Sequence, residues 1–403
     1  MVPAPSDAQA VPHKHGPNTG WLRLPAMRTL LVALALAVAL AQSAAGQPTR
    51  RSAAKPRPQT LYGPTAPIAA FGQDGPLLAW LARGSRGCNT VRVLSLTNGG
   101  HVQLPRQTGG AQNVTCRWNV VQPVRLALGR SGLDSGPYVL WTLYEKLAPL
   151  EFDYVLGAGV SDPRERRFRQ IAHSSQGIGL WLGGIAGDGA NLVYALTAVQ
   201  YVDEVACLSG GSCERRVAGG GIRRVSGRSD PLIPNTAAAV AVATAGGSVA
   251  YIPAGPSVGK DGRPLASADL PLEVRDIRSG ALVARATPAG TPLAIALSAH
   301  VLAALEQTPR GPRLAWYSAS SGAPGGSVAV PAATAPELSA NDQTVVFRVG
   351  RSIRAVDVAT RRVRKLARAA STPVGLSLER NRVAWGENVK GRGRIRAISV
   401  AKG

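Results

Sequence analysis

The sequence predicts an all-β fold: a β-propeller of about seven four-stranded blades, preceded by an export signal and a short linker. Three observations predict it. From about Leu61 onward, short β-branched and aromatic runs alternate with clusters of Gly, Pro, Asn, Asp and Ser, and no window of a dozen residues carries a helical stripe. A turn followed by an apolar strand that often ends in an aromatic recurs seven times. Between these copies lies a second unit, an alternating strand, a turn and another strand. The 46 Gly and 30 Pro among 403 residues suit a chain with many turns.

Residues 1–46 read as a signal peptide. Arg23 and Arg28 precede the unbroken apolar run Leu30 to Ala41, and Ser43-Ala44-Ala45-Gly46 supplies small residues for cleavage. The run has 12 residues, whereas a membrane span needs about 20; an uncleaved anchor is the alternative reading. Met27-Arg28 makes a normal start, which leaves 1–26 open to being an over-called N-terminus. No Cys follows the run, so a lipid-anchored lipoprotein is not expected. Residues 47–60, rich in Pro and Arg, read as a flexible basic linker, and 61–403 as the propeller domain.

The aromatic-ending copies are Gln73 to Trp80, Ser135 to Trp141, Gly187 to Tyr194, Ala245 to Tyr251, Ser298 to Ala304, Asn341 to Phe347 and Arg380 to Trp385, the fifth having lost its aromatic. Their last residues are spaced 61, 53, 57, 53, 43 and 38 apart. The second unit is seen in Val91-Arg92-Val93-Leu94, Leu272-Glu273-Val274-Arg275 and Ile353-Arg354-Ala355-Val356, each followed by a turn and a further strand. Asn-Gly and Ser-Gly pairs between such runs are hairpin chemistry, because Gly takes the positive φ that the turn requires. Two hairpins make one blade, and blades must stack radially to bury their faces. The last copy ends after Ile395-Arg396-Ala397-Ile398 without a fourth strand; a strand near Thr60-Leu61-Tyr62 can fill that place and lock the ring. A pair of β-sandwiches is the alternative architecture. The Ala-rich piece Ala237–Thr244 fits a strand better than a helix, since Ala and Val alternate and Gly246-Gly247 follow.

The Asp-Gly turn followed by apolar residues and an aromatic resembles the repeat of TolB-type, WD40-like bacterial propellers. Gln73-Asp74-Gly75 through Trp80 and Gly187-Asp188-Gly189 through Tyr194 come closest, and Ser339-Ala340-Asn341-Asp342 through Phe347 is a shifted version. No copy carries that family's full Ser-Pro-Asp-Gly turn. The resemblance implies a periplasmic or extracellular, non-enzymatic interaction role and transfers no catalytic residue.

Four cysteines, Cys88, Cys116, Cys207 and Cys213, form an even count in an exported chain. Disulfides Cys88–Cys116 and Cys207–Cys213 are expected over metal, because there is no C-x-x-C spacing and no nearby His. His101 and His300 fall at predicted turns, and His173, beside Ser174-Ser175, reads as a solvated loop residue. No nucleophile elbow, calcium loop or phosphate cradle is present, and Gly219-Gly220-Gly221 reads as a connector. No catalytic residue, cofactor or metal site is therefore expected. The rival is a propeller hydrolase or lyase, which would need His, Asp, Glu or Tyr converging on the axial funnel.

Charge is the remaining signal: 46 Lys and Arg against 23 Asp and Glu, or 43 against 22 once 1–46 are removed. Most of the basic residues are Arg, and the Arg-, Ala- and Gly-rich usage resembles that of a GC-rich bacterial genome, to which part of the excess is expected to be due. Single runs such as Arg164–Arg169 or Lys390–Arg394 suit solvated strand faces that protect edges. Arg361, Arg362, Arg364 and Lys365, on a predicted exposed hairpin, are the candidate contacts for an anionic partner. Export argues against nucleic acid. The expected partner is an envelope protein or an anionic wall polymer, with membrane contact peripheral at most, and the chain is expected to be a monomer.

Overall fold

Each predicted strand is too short to be stable alone, so it must pair sideways into a sheet and stack that sheet on another. In the computed structural model of the chain the strands do this as a closed ring of seven blades. The structure describes residues 56–83, 89–104, 125–130, 136–147, 150–161, 169–175, 179–203, 205, 209, 214–226, 230–260 and 262–400. After β1 (Gln59–Thr65), blade 1 holds β2 (Ile68–Asp74), β3 (Leu77–Arg83), β4 (Asn89–Ser95) and β5 (His101–Gln103). Blade 2 holds β6 (Leu126–Arg130), β7 (Pro137–Leu147), β8 (Leu150–Gly159) and β9 (Arg169–Ser175). Blade 3 holds β10 (Leu180–Asp188), β11 (Asn191–Tyr201) and β12 (Arg215–Arg224). Blade 4 holds β13 (Ala239–Ala245), β14 (Ser248–Val258), the short β15 (Pro264–Ala266), β16 (Leu272–Asp276) and β17 (Leu282–Ala286). Blade 5 holds β18 (Thr291–Leu297), β19 (Val301–Thr308), β20 (Gly311–Ser318) and β21 (Pro324–Ala329). Blade 6 holds β22 (Thr334–Ala340), β23 (Thr344–Val349), β24 (Ser352–Asp357) and β25 (Val363–Arg368), and blade 7 holds β26 (Val374–Glu379), β27 (Arg382–Val389) and β28 (Arg392–Ser399).

Each blade is an antiparallel meander, and the first strands, β2, β6, β10, β13, β18, β22 and β26, each touch the next around the axis, β26 touching β2 again. All inner strands run the same way. Turns between first and second strands, and between third and fourth, therefore share one face, here the upper. Turns between second and third strands and the inter-blade connections share the lower face.

Seven buried clusters fill the seven interfaces between blades, and they explain the repeat. Its last residues, 80, 141, 194, 251, 304, 347 and 385, all lie on second strands and all face the preceding blade. Trp80 shares a buried cluster with Ala384 and Ile395 of blade 7, and Trp141 shares one with Ala79 and Val93 of blade 1. Where the fifth copy offers only Ala304, Tyr317 of β20 enters the same interface and restores an aromatic. On the third strands, Arg stands directly across from the aromatic in four blades: Arg92 from Trp80, Arg223 from Tyr194, Arg354 from Phe347 and Arg396 from Trp385. A cross-strand pair of this kind projects to one face, which puts the Arg stem on the same side of the sheet as the ring.

The ring closes as the sequence predicts. β1 pairs antiparallel with β28, Gln59 opposite Ala397 and Thr65 opposite Gly393, and supplies the fourth strand of blade 7. It begins at Gln59, two residues before the expected boundary. Tyr62 of β1 leans on Trp80, ring centroids 4.7 Å apart, and stacks on His101 at 5.5 Å. Burial, with Arg92 nearby, holds the His101 imidazole below its ordinary pKa. At the same seam Ile68 N donates to Asn388 Oδ1 (2.7 Å), and Asn388 Nδ2 donates to Ile68 O (2.8 Å), so one side chain imitates a ladder pair.

Several expectations need correction. Blade 3 has three strands and one isolated bridge, Arg223–Leu232, among the described residues; Pro231 and Pro234 flank Leu232 and lack the N–H that a ladder needs. Blades 3 and 4 are not separate sheets, because Arg216 of β12 pairs with Ser257 of β14. Gly219-Gly220-Gly221 is no connector but the middle of β12, where Gly220 has φ 145° and a Cβ would come within 2.3 Å of Leu196 O. His101 opens β5, and His173 lies on β9 rather than in a loop. The four cysteines fall outside the described residues.

A recurrent device stiffens blades 5 and 7. Glu306 on β19 and Glu387 on β27, 0% and 1% exposed, stand across from Arg313 and Arg394 on the next strand. The pairs close at 2.8 Å and 2.6 Å. In both blades the carboxylate also accepts a backbone N–H from seventeen residues upstream, Ala289 at 3.1 Å and Ala370 at 2.9 Å, in the connection entering that blade. Tyr317 OH donates to the second oxygen of Glu306 (2.6 Å), and burial followed by that bond raises the phenol's pKa. Blade 4 has a related cluster in which Glu273 takes the Tyr251 hydroxyl, Arg275 and Arg285, and burial first, then Glu273, pushes Tyr251 up to about 12.

Candidate functional site

At the axis all seven blades contribute residues to one space. Its upper end opens into a cavity of about 520 Å³ lined by the ends of the inner strands. The last residues of those strands and the turns that follow carry charge: Asp74 in blade 1, Asp188 in blade 3, Asp342 in blade 6, and Glu379 with Arg380 in blade 7. Hydrogen bonds tie these turns round the mouth. His300 N of blade 5 donates to Asp342 Oδ1 (3.0 Å), and Asn341 Nδ2 donates to Arg380 O (2.6 Å). Arg382 donates to Gln73 Oε1 (3.0 Å) and Gly75 O (2.6 Å), joining blade 7 to blade 1. Blades 1 and 3 place Gly75 and Gly189 after the acid, whereas blade 7 places Arg380 there with φ 52°. A side chain in that left-handed conformation costs on the order of 1 kcal/mol.

The carboxylates act on one another. Asp74 is pushed up to about 6, first by burial, then by the charges of Glu379 and Asp188, with Arg130 opposing. Asp188 spends Oδ1 on Ala190 N and Asn191 N, both 2.9 Å away, while its Oδ2 is buried with no hydrogen-bond partner among the described residues. Among the described residues no three His, Cys, Asp or Glu side chains come close enough to hold a metal ion. Ser298, Ser339 and Ser377 also line the cavity, and no His among the described residues does. The mouth can hold a proton near pH 6 or attract a cation; among the described residues it contains no paired nucleophile and base. Because Asp74 binds its proton more tightly folded than unfolded, its contribution is full below about 3.8 and is lost as pH rises through about 6. Asp74→Asn should therefore raise the melting temperature at pH 8 and leave it unchanged at pH 4, measured in parallel thermal melts.

The predicted partner contacts lie elsewhere, on the upper outer rim of blade 6. Arg361 and Arg362 end the turn between β24 and β25, and Arg364 and Lys365 lie on β25. Asp357 shapes the turn by accepting from Thr360 N (2.7 Å) and Thr360 Oγ1 (2.8 Å), bonds that hold its carboxyl below the usual range. Arg361 follows with φ 59°. Arg361, Arg362 and Lys365 are exposed and Arg364 is half-buried. The structure brings Arg362 and Arg364 into one groove of about 870 Å³ with Asp342, Asp357 and Thr360. It sends Arg361 toward blade 5, where a Cβ on Gly326 would lie 3.1 Å from its Nε.

The axial carboxylates were missed as a group by sequence reasoning. Each was visible as the acid of a turn, Gln73-Asp74-Gly75 or Gly187-Asp188-Gly189, and the repeat itself was the signal: equivalent turns must surround the axis together.

No known protein family matches the sequence, and no curated protein does. Solved structures do resemble it. The computationally designed Ika8 protein is 14% identical with a TM-score of 0.45, over 85% of this chain and 98% of that one. Acylaminoacyl peptidase of Pyrococcus horikoshii is 10% identical with a TM-score of 0.49 over 83% of this chain; this chain spans about half of its length, 51%. Saccharomyces cerevisiae Sqt1 is 10% identical with a TM-score of 0.38, over 81% and 82%. At such identities the likeness concerns the fold alone, and it does not single out the TolB type among propellers.

Proposed function

We propose that this protein is an exported, non-catalytic propeller that binds an anionic wall polymer in the bacterial cell envelope. The observation that carries the reading is the β24–β25 hairpin, which holds Arg361, Arg362 and Lys365 exposed beside Arg364 on a rigid blade edge. The export part rests on Arg28 and Leu30–Ala41. Binding by such a rim displaces counterions and so weakens steeply with salt.

The test uses protein recovered from its host, with its N-terminus sequenced; a start near Ala45 or Gly46 is expected. Association with host wall polymer should fall at least tenfold between 50 and 200 mM salt. Replacing Arg361, Arg362, Arg364 and Lys365 by Gln should weaken it without lowering the melting temperature. A chain retained in the cytosol, or salt-insensitive binding, overturns the reading. Binding to an acidic envelope protein instead of polymer identifies the other expected partner.

The convergent carboxylates of the axial mouth favour one rival, a hydrolase or lyase using Asp74 as its proton carrier. An activity abolished by Asp74→Asn and untouched by the hairpin substitutions would establish that rival in place of the binding role.

A further inference from the structure

From 287 to 400 every residue is described, and the charges of blades 5 to 7 sort by face. This stretch holds six acids. Asp342, Asp357 and Glu379 belong to upper turns. Of the other three, Glu306 and Glu387 lie near the lower ends of β19 and β27 and Glu337 lies in the middle of β22, and each is consumed by an internal ion pair, with Arg313, Arg348 and Arg394 at 2.8, 2.8 and 2.6 Å. What remains on the lower face of these three blades is cationic only. Arg310, Arg351 and Lys390 occupy the second-to-third-strand turns of three successive blades, Arg392 opens β28, and Arg368 ends β25. All five are exposed.

A second, independent feature shares that face. The β11–β12 hairpin of blade 3 continues three residues, Val199 to Tyr201, past the last pairing with the inner strand, Leu180–Ala198. Its end exposes Tyr201 (37%), Val202 (49%) and Val205 (78%), and Arg215 lies over the Tyr201 ring at 4.7 Å while donating to its hydroxyl at 2.7 Å. Asp203 and Glu214 flank this end and offset its own Arg residues.

We infer that the lower face docks on a membrane surface of anionic lipid headgroups. Cations raised on turns of consecutive blades meet a plane together, and an aromatic with exposed aliphatic neighbours is the side-chain set that enters the headgroup boundary. A polymer would use the cations and leave Val202 and Val205 idle. This surface is separate from the blade 6 hairpin and goes beyond the proposed polymer binding.

The test measures partition of the 403-residue chain into phosphatidylglycerol vesicles relative to phosphatidylcholine vesicles, so that apolar insertion common to both cancels. Each basic residue near an anionic membrane contributes about fivefold. The triple variant Arg310→Gln, Lys390→Gln and Arg392→Gln should lower the ratio about a hundredfold with an unchanged melting temperature. Arg361→Gln, Arg362→Gln and Lys365→Gln, on the other face, should leave it unchanged. Val205→Asp should lower binding to phosphatidylglycerol vesicles more than tenfold. No preference for phosphatidylglycerol at low salt overturns the inference. So does an equal loss from both triple variants, or loss of polymer binding instead of vesicle binding in the lower-face triple.

Discussion

Replacing Arg394 by Met should destabilise the ring by about 3–5 kcal/mol, more than almost any other single change outside the aromatic cores. The substitution leaves Glu387, 1% exposed, as a buried carboxylate with only the Ala370 N–H to satisfy it. Replacing Glu387 by Gln should cost less, about 1–2 kcal/mol, because the amide oxygen can still accept from Ala370 and Arg394, 34% exposed, can turn to water. The double variant should be more stable than Arg394→Met alone, since the uncompensated charge is gone. Denaturant melts of the three variants give the coupling directly. The same ordering should hold for Arg313 and Glu306. Additive losses in either blade would show that the pair is a solvated surface contact.

The other large effect belongs to the latch. Replacing Gln59–Thr65 by a Gly-Ser segment of equal length should remove about 6 kcal/mol: four or five ladder hydrogen bonds at about 1 kcal/mol each, and about 2 kcal/mol for Tyr62. That is comparable with the whole stability of an ordinary domain. Near-ultraviolet circular dichroism of the tryptophans should show a broad, early transition. The bared edge of β28 should promote association, visible by light scattering, because an open strand edge templates pairing. An unchanged melt would mean that the seam bonds of Asn388 and Gln73 close the ring unaided.

What the sequence disclosed and what it hid divide along a physical line. Strand 2 aromatics and hairpin turns are local, so Trp80, Trp141 and Trp385 announced their blades by themselves, and even the missing fourth strand of blade 7 could be placed near Thr60. Properties that depend on register could not be read. Nothing in the spacing of Glu387 and Arg394 says that they face each other, and nothing about Ala304 says that Tyr317 will replace it. The Gly219–Gly221 run misled for a related reason: without side chains a strand has no alternation to read. The candidate site was half legible. Of the four hairpin residues expected to be exposed, Arg361, Arg362 and Lys365 are and Arg364 is half-buried, while the convergence of Asp74, Asp188 and Glu379 needed the ring to be closed before turns on three different blades became neighbours.

The latch also decides how the molecule answers to tension. Gln59 pairs with Ala397 and Thr65 with Gly393, so both chain ends leave from the same end of the β1–β28 ladder. Pulled apart through those ends, the ladder is loaded one rung at a time, as a zipper is, and not all rungs together as in a sheared pair. Blade 7 is then the first to open, and the rate at which it opens, set by the outermost pair, governs how long the ring survives under load.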